Sequence, residues 1–279
     1  MFFDLNLPAG SLGASEYAAA LEMQQRFGVT VVARNTEVKS LSNLRDSRAT
    51  PGLAPEVSQS DAKQTTFRIL ERLTIVLDDS NTNLRIDAGN QKLQNYDVLA
   101  VKPLTEKALL SAVNADVDII QLDLSTKLPF NLRKTTLNTA IQKGIYFELS
   151  YGPCIRDQNA RRNIISNLQS ILRVTAGKHL VVTSDAIRAL DLRSPHDVMN
   201  LLQVFGLPDK YARDAITTSP RSVLYHAATR RDTLKGFVSV EPLDALTEGV
   251  KWKMGDVPTG KELEEGADFV SFGDLSGFE

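Results

Sequence analysis

Two groups of side chains in this 279-residue sequence could do chemistry: the carboxylates Asp4, Asp78, Asp79, Asp123, Glu148 and Asp185, and the arginines Arg156, Arg161 and Arg162. Carboxylates alone can hold magnesium or share a proton as an acid/base pair. Their more ordinary use is to cap helices or to pair with neighbours such as Arg34 and Lys102. A tight transition-metal site takes histidine nitrogen or cysteine sulfur, and the sequence offers only His179, His196, His226 and Cys154. One cysteine excludes an internal disulfide and a cysteine-based zinc cluster, and suits a reducing compartment. Its simplest reading is a small buried thiol. A glycine-rich phosphate loop, a P-loop lysine and a G-x-S-x-G elbow are all missing from the sequence, so nucleotide hydrolysis and serine chemistry are unsupported.

The arginines belong to the most distinctive run, Phe147-Glu148-Leu149-Ser150-Tyr151-Gly152-Pro153-Cys154-Ile155-Arg156-Asp157, followed by Arg161-Arg162. A strand ending near Ser150, a Gly-Pro turn and a helix starting close to Asn159 would gather three guanidinium groups around a helix N-terminus. Free backbone N–H groups, the helix dipole and arginine forks all favour phosphate there, and Tyr151 could add a stacking surface. Ile164, Leu168 and Ile171 mark the buried stripe of that helix. Arg161 lies on the stripe's side and should lean over the strand ends, whereas Arg162 and Arg173 face outward. Lys178, Arg188, Arg193, Arg230, Arg231 and Lys235 extend the positive character. The candidate contacts to a polyanion are Arg156, Arg161, Arg162, Lys178 and Arg188. The competing reading pairs the arginines with Glu148 and Asp157 or leaves them as solvated charges.

These side chains need a frame. β-branched runs at Phe2–Asn6, Thr30–Arg34, Leu73–Asp78, Val98–Lys102, Asp118–Leu122, Ile145–Leu149 and Leu180–Thr183 read as seven strands separated by helix-periodic stretches. Helices are expected over Ser15–Phe27, Thr105–Val113 and Asn131–Lys143, with two more starting at Ser194-Pro195 and Ser219-Pro220. An eighth strand is not visible. The alternation predicts an α/β fold with seven or eight parallel strands, a distorted TIM-barrel-like β/α barrel rather than a doubly wound sheet. Active sites of such barrels lie at the C-terminal strand ends, where no histidine falls. His179 precedes its strand and so belongs to the other end.

The barrel is expected over residues 1–236, with an insertion at about 39–63 rich in Ser, Pro, Ala and Gln. Residues 237–279 should form a disordered acidic tail. Residues 1–236 hold 29 basic against 24 acidic side chains and residues 237–279 hold 3 against 10, so a mildly basic body precedes the acidic segment. The opening Met1-Phe2-Phe3-Asp4 lacks a basic segment followed by an apolar one, and no apolar run reaches membrane-spanning length, so an unsecreted protein without a membrane partner is expected.

Phe3-Asp4-Leu5-Asn6-Leu7-Pro8, the run Phe147 to Arg162 with Asn163-Ile164-Ile165-Ser166-Asn167, and Ser184-Asp185-Ala186 before the Pro195 helix together resemble the thirty-kilodalton protein subunit of ribonuclease P and ribonuclease MRP. The resemblance spans roughly residues 1–236. That family is similar in turn to the polymerase-and-histidinol-phosphatase phosphoesterases, whose barrel holds a metal cluster on an Asp-Leu-His-x-His motif and a later Asp-x-His motif. Here the histidine positions are Asn6, Pro8 and Ile187, and neither Pro8 nor Ile187 can coordinate a metal. The resemblance therefore implies a non-catalytic subunit with no cofactor. It would bind the catalytic RNA of ribonuclease P and MRP, pair with a small αβ-sandwich protein subunit and other subunits, and meet precursor tRNA indirectly. It also implies support of tRNA 5′-leader removal and ribosomal RNA processing, in the nucleus and nucleolus. The alternatives are a carboxylate-only metal-dependent phosphoesterase and a protein-interaction module.

Overall fold

The computed structural model describes residues 1–10, 12–40, 67–81, 86, 90–130 and 132–232. Most of the expected insertion, Asn131 and the expected acidic tail lie outside these residues; the helix expected from Asn131 to Lys143 runs over Lys134–Gln142, three residues later at its start. The chain divides after Phe237 into two units, and the first contains every element below.

Seven parallel strands form one sheet in strict sequence order: β1 (Phe2–Pro8), β2 (Val29–Val38), β3 (Arg68–Leu77), β4 (Val98–Pro103), β5 (Ile119–Gln121), β6 (Tyr146–Ser150) and β7 (Leu180–Thr183). Sequential order with no reversal is the topology of a barrel, and the sheet curls until its two edge strands approach. Helices α1 (Ala14–Arg26), α2 (Gln91–Gln94), α3 (Glu106–Asn114), α4 (Lys134–Gln142), α5 (Gly152–Arg156), α6 (Gln158–Thr175), α7 (Pro195–Val204), α8 (Asp209–Asp214) and α9 (Thr218–Asp232) complete the described elements.

No eighth strand closes the ring among the described residues. The α8–α9 turn occupies its place: Val182 N–H of β7 donates to Ala215 O at 3.0 Å, and Phe3 N–H of β1 donates to Ile216 O at 3.3 Å. At the other end of this seam, Asp185 N–H and the Ser184 hydroxyl both donate to Asn6 O, at 3.1 and 3.3 Å. Four hydrogen bonds thus satisfy edges that an open sheet would leave bare.

Side chains alternate across each strand, so Phe147 and Leu149 point outward while Glu148 points into the barrel. The outward residues pack against Ile164, Leu168 and Ile171 of α6, which are all nearly inaccessible. Caps mark the expected starts. Thr105 Oγ1 accepts from Ala108 N at 3.2 Å, and Ser194 Oγ accepts from Asp197 N at 3.2 Å ahead of Pro195. β3 begins five residues earlier than Leu73, because the polar residues Arg68, Glu71 and Arg72 continue the strand pairing with β2.

The N-terminal strand ends are bridged by α9. The Asp118 carboxylate, fully buried before β5, accepts from Leu99 N at 2.8 Å, from Arg230 Nη2 at 3.0 Å, and meets His226 Nδ1 at 2.8 Å. The other ring nitrogen, Nε2, faces Lys143 O at 3.1 Å. A carboxylate and a carbonyl are both acceptors, so both contacts form only when the imidazole carries two N–H groups. Arg231 adds an ion pair to Asp97 at 2.7 Å.

The Asp118 hydrogen bond raises the His226 pKa above its ordinary value, opposed by burial. A raised folded-state pKa gives stability that is full below the unfolded value near 6.5 and is lost as pH rises through the folded value. The melting temperature should therefore fall by about 2–4 °C as pH rises through the folded-state value, above about 6.5, for loss of about 1 kcal/mol. In His226→Gln, which donates to Asp118 without titrating, this decline should vanish. An equal decline in that variant would assign it to another group.

Candidate functional site

The barrel interior is filled by a polar network rather than an open pocket. Arg72 of β3, with no exposed surface, donates through Nη2 to Glu148 Oε2 at 2.5 Å and to Gln121 Oε1 at 3.2 Å, through Nη1 to Leu5 O at 2.8 Å, and through Nε to Thr74 Oγ1 at 3.1 Å. Glu148 Oε1 accepts from Asn6 Nδ2 at 2.8 Å and from the Thr183 hydroxyl at 2.6 Å. Asn35 Nδ2 donates to Asn6 Oδ1 at 2.7 Å, and Thr74 donates to Asn35 Oδ1 at 2.7 Å. Six strands contribute, and every member has a partner. Such a network holds its charges only while complete, since removing one partner of a buried ion pair costs about 3–5 kcal/mol.

Glu148 is therefore committed. Its two oxygens are taken by Arg72, Asn6 and Thr183, and both ends of the Asn6 amide are engaged, the nitrogen with Glu148 and the oxygen with Asn35. Asp4 is equally engaged. Its carboxylate accepts from Gln24 Nε2 at 2.5 Å and Ser184 N at 3.0 Å, and burial pushes its pKa up. Asp78 and Asp123 accept from the hydroxyls and backbone of Ser80 and Ser125, and Asp79 accepts from Thr105 Oγ1.

Asp185 alone is left over. It follows β7 in a left-handed conformation, φ +47°, and its carboxylate accepts no hydrogen bond from the described residues. Burial and the Glu148 charge push its pKa up to about 6, against Arg156, Lys102 and Arg72. Among the described residues no group of three His, Cys, Asp or Glu side chains is placed to hold a metal ion. The metal cluster of the resembled phosphoesterases does not fit these residues.

The structure separates the five proposed phosphate contacts. Arg156, 20% exposed, ends the one-turn helix α5 and donates from Nη1 to Asp185 O at 3.0 Å and Asp191 Oδ2 at 3.2 Å. Arg188 reaches the other oxygen of Asp191 at 3.1 Å and stays 62% exposed. Arg161 donates from Nε to Cys154 O at 2.9 Å with its side chain otherwise exposed, and Arg162 is exposed one residue on. These four surround the mouth. Lys178 precedes β7 and lies at the opposite end of the barrel.

Two details depart from the sequence expectation. The α6 N-terminus carries a side-chain cap, because Asp157 accepts from Ala160 N at 2.8 Å, so one of the first-turn N–H groups already has an acceptor within the chain. Arg156 pairs with Asp191 rather than with Glu148 or Asp157. Asp191 was invisible because it lies 35 residues away in the turn Ala189–Asp191. Arg72 was also missed. Its one signal is an arginine beside Leu73-Thr74-Ile75-Val76-Leu77, a charge entering a strand buried on both faces.

The model of the RNase P subunit p30 family matches residues 1–232, the whole described barrel. The chain is 35% identical over 242 residues to the ribonuclease P protein subunit p30 of Mus musculus, covering 85% of this chain and 90% of that protein. It is 28% identical over 173 residues to the ribonuclease P/MRP protein subunit RPP1 of Saccharomyces cerevisiae, covering 62% of this chain and 58% of that one. A chain in a cryo-EM structure of archaeal ribonuclease P with mature tRNA shares the fold, with a TM-score of 0.57 over 85% of this chain and 96% of that chain at 12% identity. With the family model running from the first strand through α9, this chain belongs to the RNase P subunit p30 family.

Proposed function

We propose that this protein is a non-catalytic, RNA-binding subunit of ribonuclease P and ribonuclease MRP, supporting the catalytic RNA in tRNA 5′-leader removal and ribosomal RNA processing. The observation that carries the non-catalytic part is the Arg72–Glu148 pair. It places a guanidinium where a phosphoesterase barrel needs open ligand oxygens, and so turns the interior into a closed scaffold. Family membership supports the assembly part, together with partners that include a small αβ-sandwich subunit and a nuclear and nucleolar location. Binding is assigned to the mouth rim, where Arg162, Arg188 and Arg161 are exposed; Arg156 orients the loop through Asp191 and keeps its remaining N–H groups for phosphate.

Four outcomes test this reading. The purified protein should not cleave RNA with added magnesium or manganese, and Asp185→Ala should leave processing by the assembled particle within a few-fold. Loss of the chemical step with assembly intact would restore the phosphoesterase reading.

Glu148→Gln separates the same two readings by stability. A scaffold role predicts a melting temperature lower by about 6 °C or more, because Arg72 is left buried without its counter-charge at a cost of about 3–5 kcal/mol. A catalytic Glu148 would instead give an unchanged melt with activity abolished.

Arg162→Ala with Arg188→Ala should weaken RNA binding at nearly unchanged stability and flatten its salt dependence by about one to two units. An unchanged slope would return both arginines to plain surface charge.

A further inference from the structure

The end of the barrel opposite the mouth carries a pair of rings that the scaffold does not use. β6 and β7 pair with Phe147 opposite Leu180, which sets Tyr146 beside His179. Their rings lie 5.1 Å apart at 30°, and both residues are partly exposed. Tyr146 shares the inward face of Glu148 by strand alternation, so the pair sits at the rim of the barrel floor. Neither the Tyr146 hydroxyl nor a His179 ring nitrogen bonds to a described residue. Burial and the Lys178 ammonium push the His179 pKa down, so the ring is neutral near pH 7.

The turn that presents His179 is built for this placement. Ala176, Gly177 and His179 all have positive φ, at 52°, 81° and 56°. A Cβ at Gly177 would stand 2.9 Å from Tyr211 Cδ2, so glycine lets α8 close onto the turn. That packing carries Lys210 and Arg213 of α8 to the same end as Lys178 and Arg173, the last two flanking the turn itself. All four are exposed and none forms an ion pair among the described residues. The two carboxylates of α8 are turned to neighbours, Asp209 to Gln203 Nε2 and Asp214 to the Thr218 hydroxyl.

We propose that Tyr146 and His179 form a stacking platform for an unpaired RNA base, with Lys178 and its basic neighbours on the flanking phosphates. Stacked rings with free polar edges beside unpaired cations match single-stranded nucleic acid, whose exposed bases stack on aromatic faces while the backbone follows positive charge. A duplex keeps its bases inside and offers nothing to the rings. An apolar protein partner would need a patch of exposed large hydrophobics, and among the described residues these are Met1, Leu104, Leu110, Ile187, Leu190 and Val204, none of them in β6, the turn before β7 or α8. The platform rests on the RNA-binding reading above and gives Lys178 a site separate from the mouth arginines.

The test uses the full chain, fluorescence anisotropy, and a labelled uridine single strand of about 10 nucleotides beside an RNA duplex of similar length. Tyr146→Ala and His179→Ala should each weaken single-strand binding about tenfold, and Tyr146→Phe should stay within about twofold, with duplex binding unchanged. Lys178→Ala should lower the single-strand salt slope by about 0.7. Thermal melts accompany each variant, and His179→Ala carries the test if Tyr146→Ala unfolds. Undiminished single-strand binding in both alanine variants, while Arg162→Ala with Arg188→Ala weakens RNA, overturns the platform and leaves the RNA-binding reading standing. A wild-type chain that binds neither RNA overturns both. Unchanged RNA affinity with failure of the His179 variant to enter a reconstituted particle would make this face a protein contact, which also overturns the proposal.

Discussion

Arg72 carries a positive charge in a place that water does not reach, and the barrel interior is arranged to satisfy it. A lone guanidinium there would cost several kcal/mol, so an acceptor must lie within hydrogen-bond reach, and Glu148 supplies it. Asn6, Asn35, Thr74, Gln121 and Thr183 then fill the remaining donor and acceptor sites of the pair. Each of those residues sits on a different part of the strand ring. The register of β1 with β2, β2 with β3 and β5 with β6 is therefore tied to one interaction, because a slip of one residue would turn its contributor to the outer face. A metal cluster and this pair are mutually exclusive uses of the same interior. The cluster needs open carboxylate oxygens facing a cation, and the pair closes them onto one that the chain supplies.

Satisfying the interior leaves the two ends free to differ. At the mouth, Asp191 gathers Arg156 and Arg188, the first half-buried and the second mostly in solvent. One carboxylate shared by two guanidinium groups leaves Arg188 mostly in solvent, where a phosphate backbone would meet it. At the floor, Asp118 gathers His226 and Arg230 from α9, both directed inward. The same device of one acid and two bases thus yields an exposed field at one end and a clamped helix at the other. What separates them is burial of the second base.

The strand order, most helix starts and the missing histidines were legible in the sequence because each has a local signal. Val98–Lys102 differs from the observed strand by one residue, and Ser194-Pro195 marks the start of α7. The closure of the ring was not legible. Ala215 and Ile216 form a turn with no strand pattern, and their role depends on Val182 and Phe3, far away along the chain. The beginning of β3 was hidden for a related reason: Glu71 and Arg72 look like loop residues until their partners Arg34 and Glu148 are known. Buried charge reads as surface charge whenever its counter-charge is distant in sequence. The α6 start shows the reverse case, in which the capping residue Asp157 lies within the local pattern and takes one N–H of the first turn.

This asymmetry bears on what a barrel of this kind can become. The positions that bind metal in the resembled phosphoesterases are few, and here they hold Asn6, Pro8 and Ile187, none of which belongs to the helices that cover the sheet. The outer core built on Phe147, Leu149, Ile164 and Leu168 does not depend on what the interior holds. The polar interior is completed by an arginine from across the barrel, because each Glu148 oxygen finds a donor in Arg72, Asn6 or Thr183. With the interior closed in this way, the outer core and the mouth are set by separate interactions, so the mouth arginines answer to the shape and charge of whatever covers them and not to the packing of the sheet.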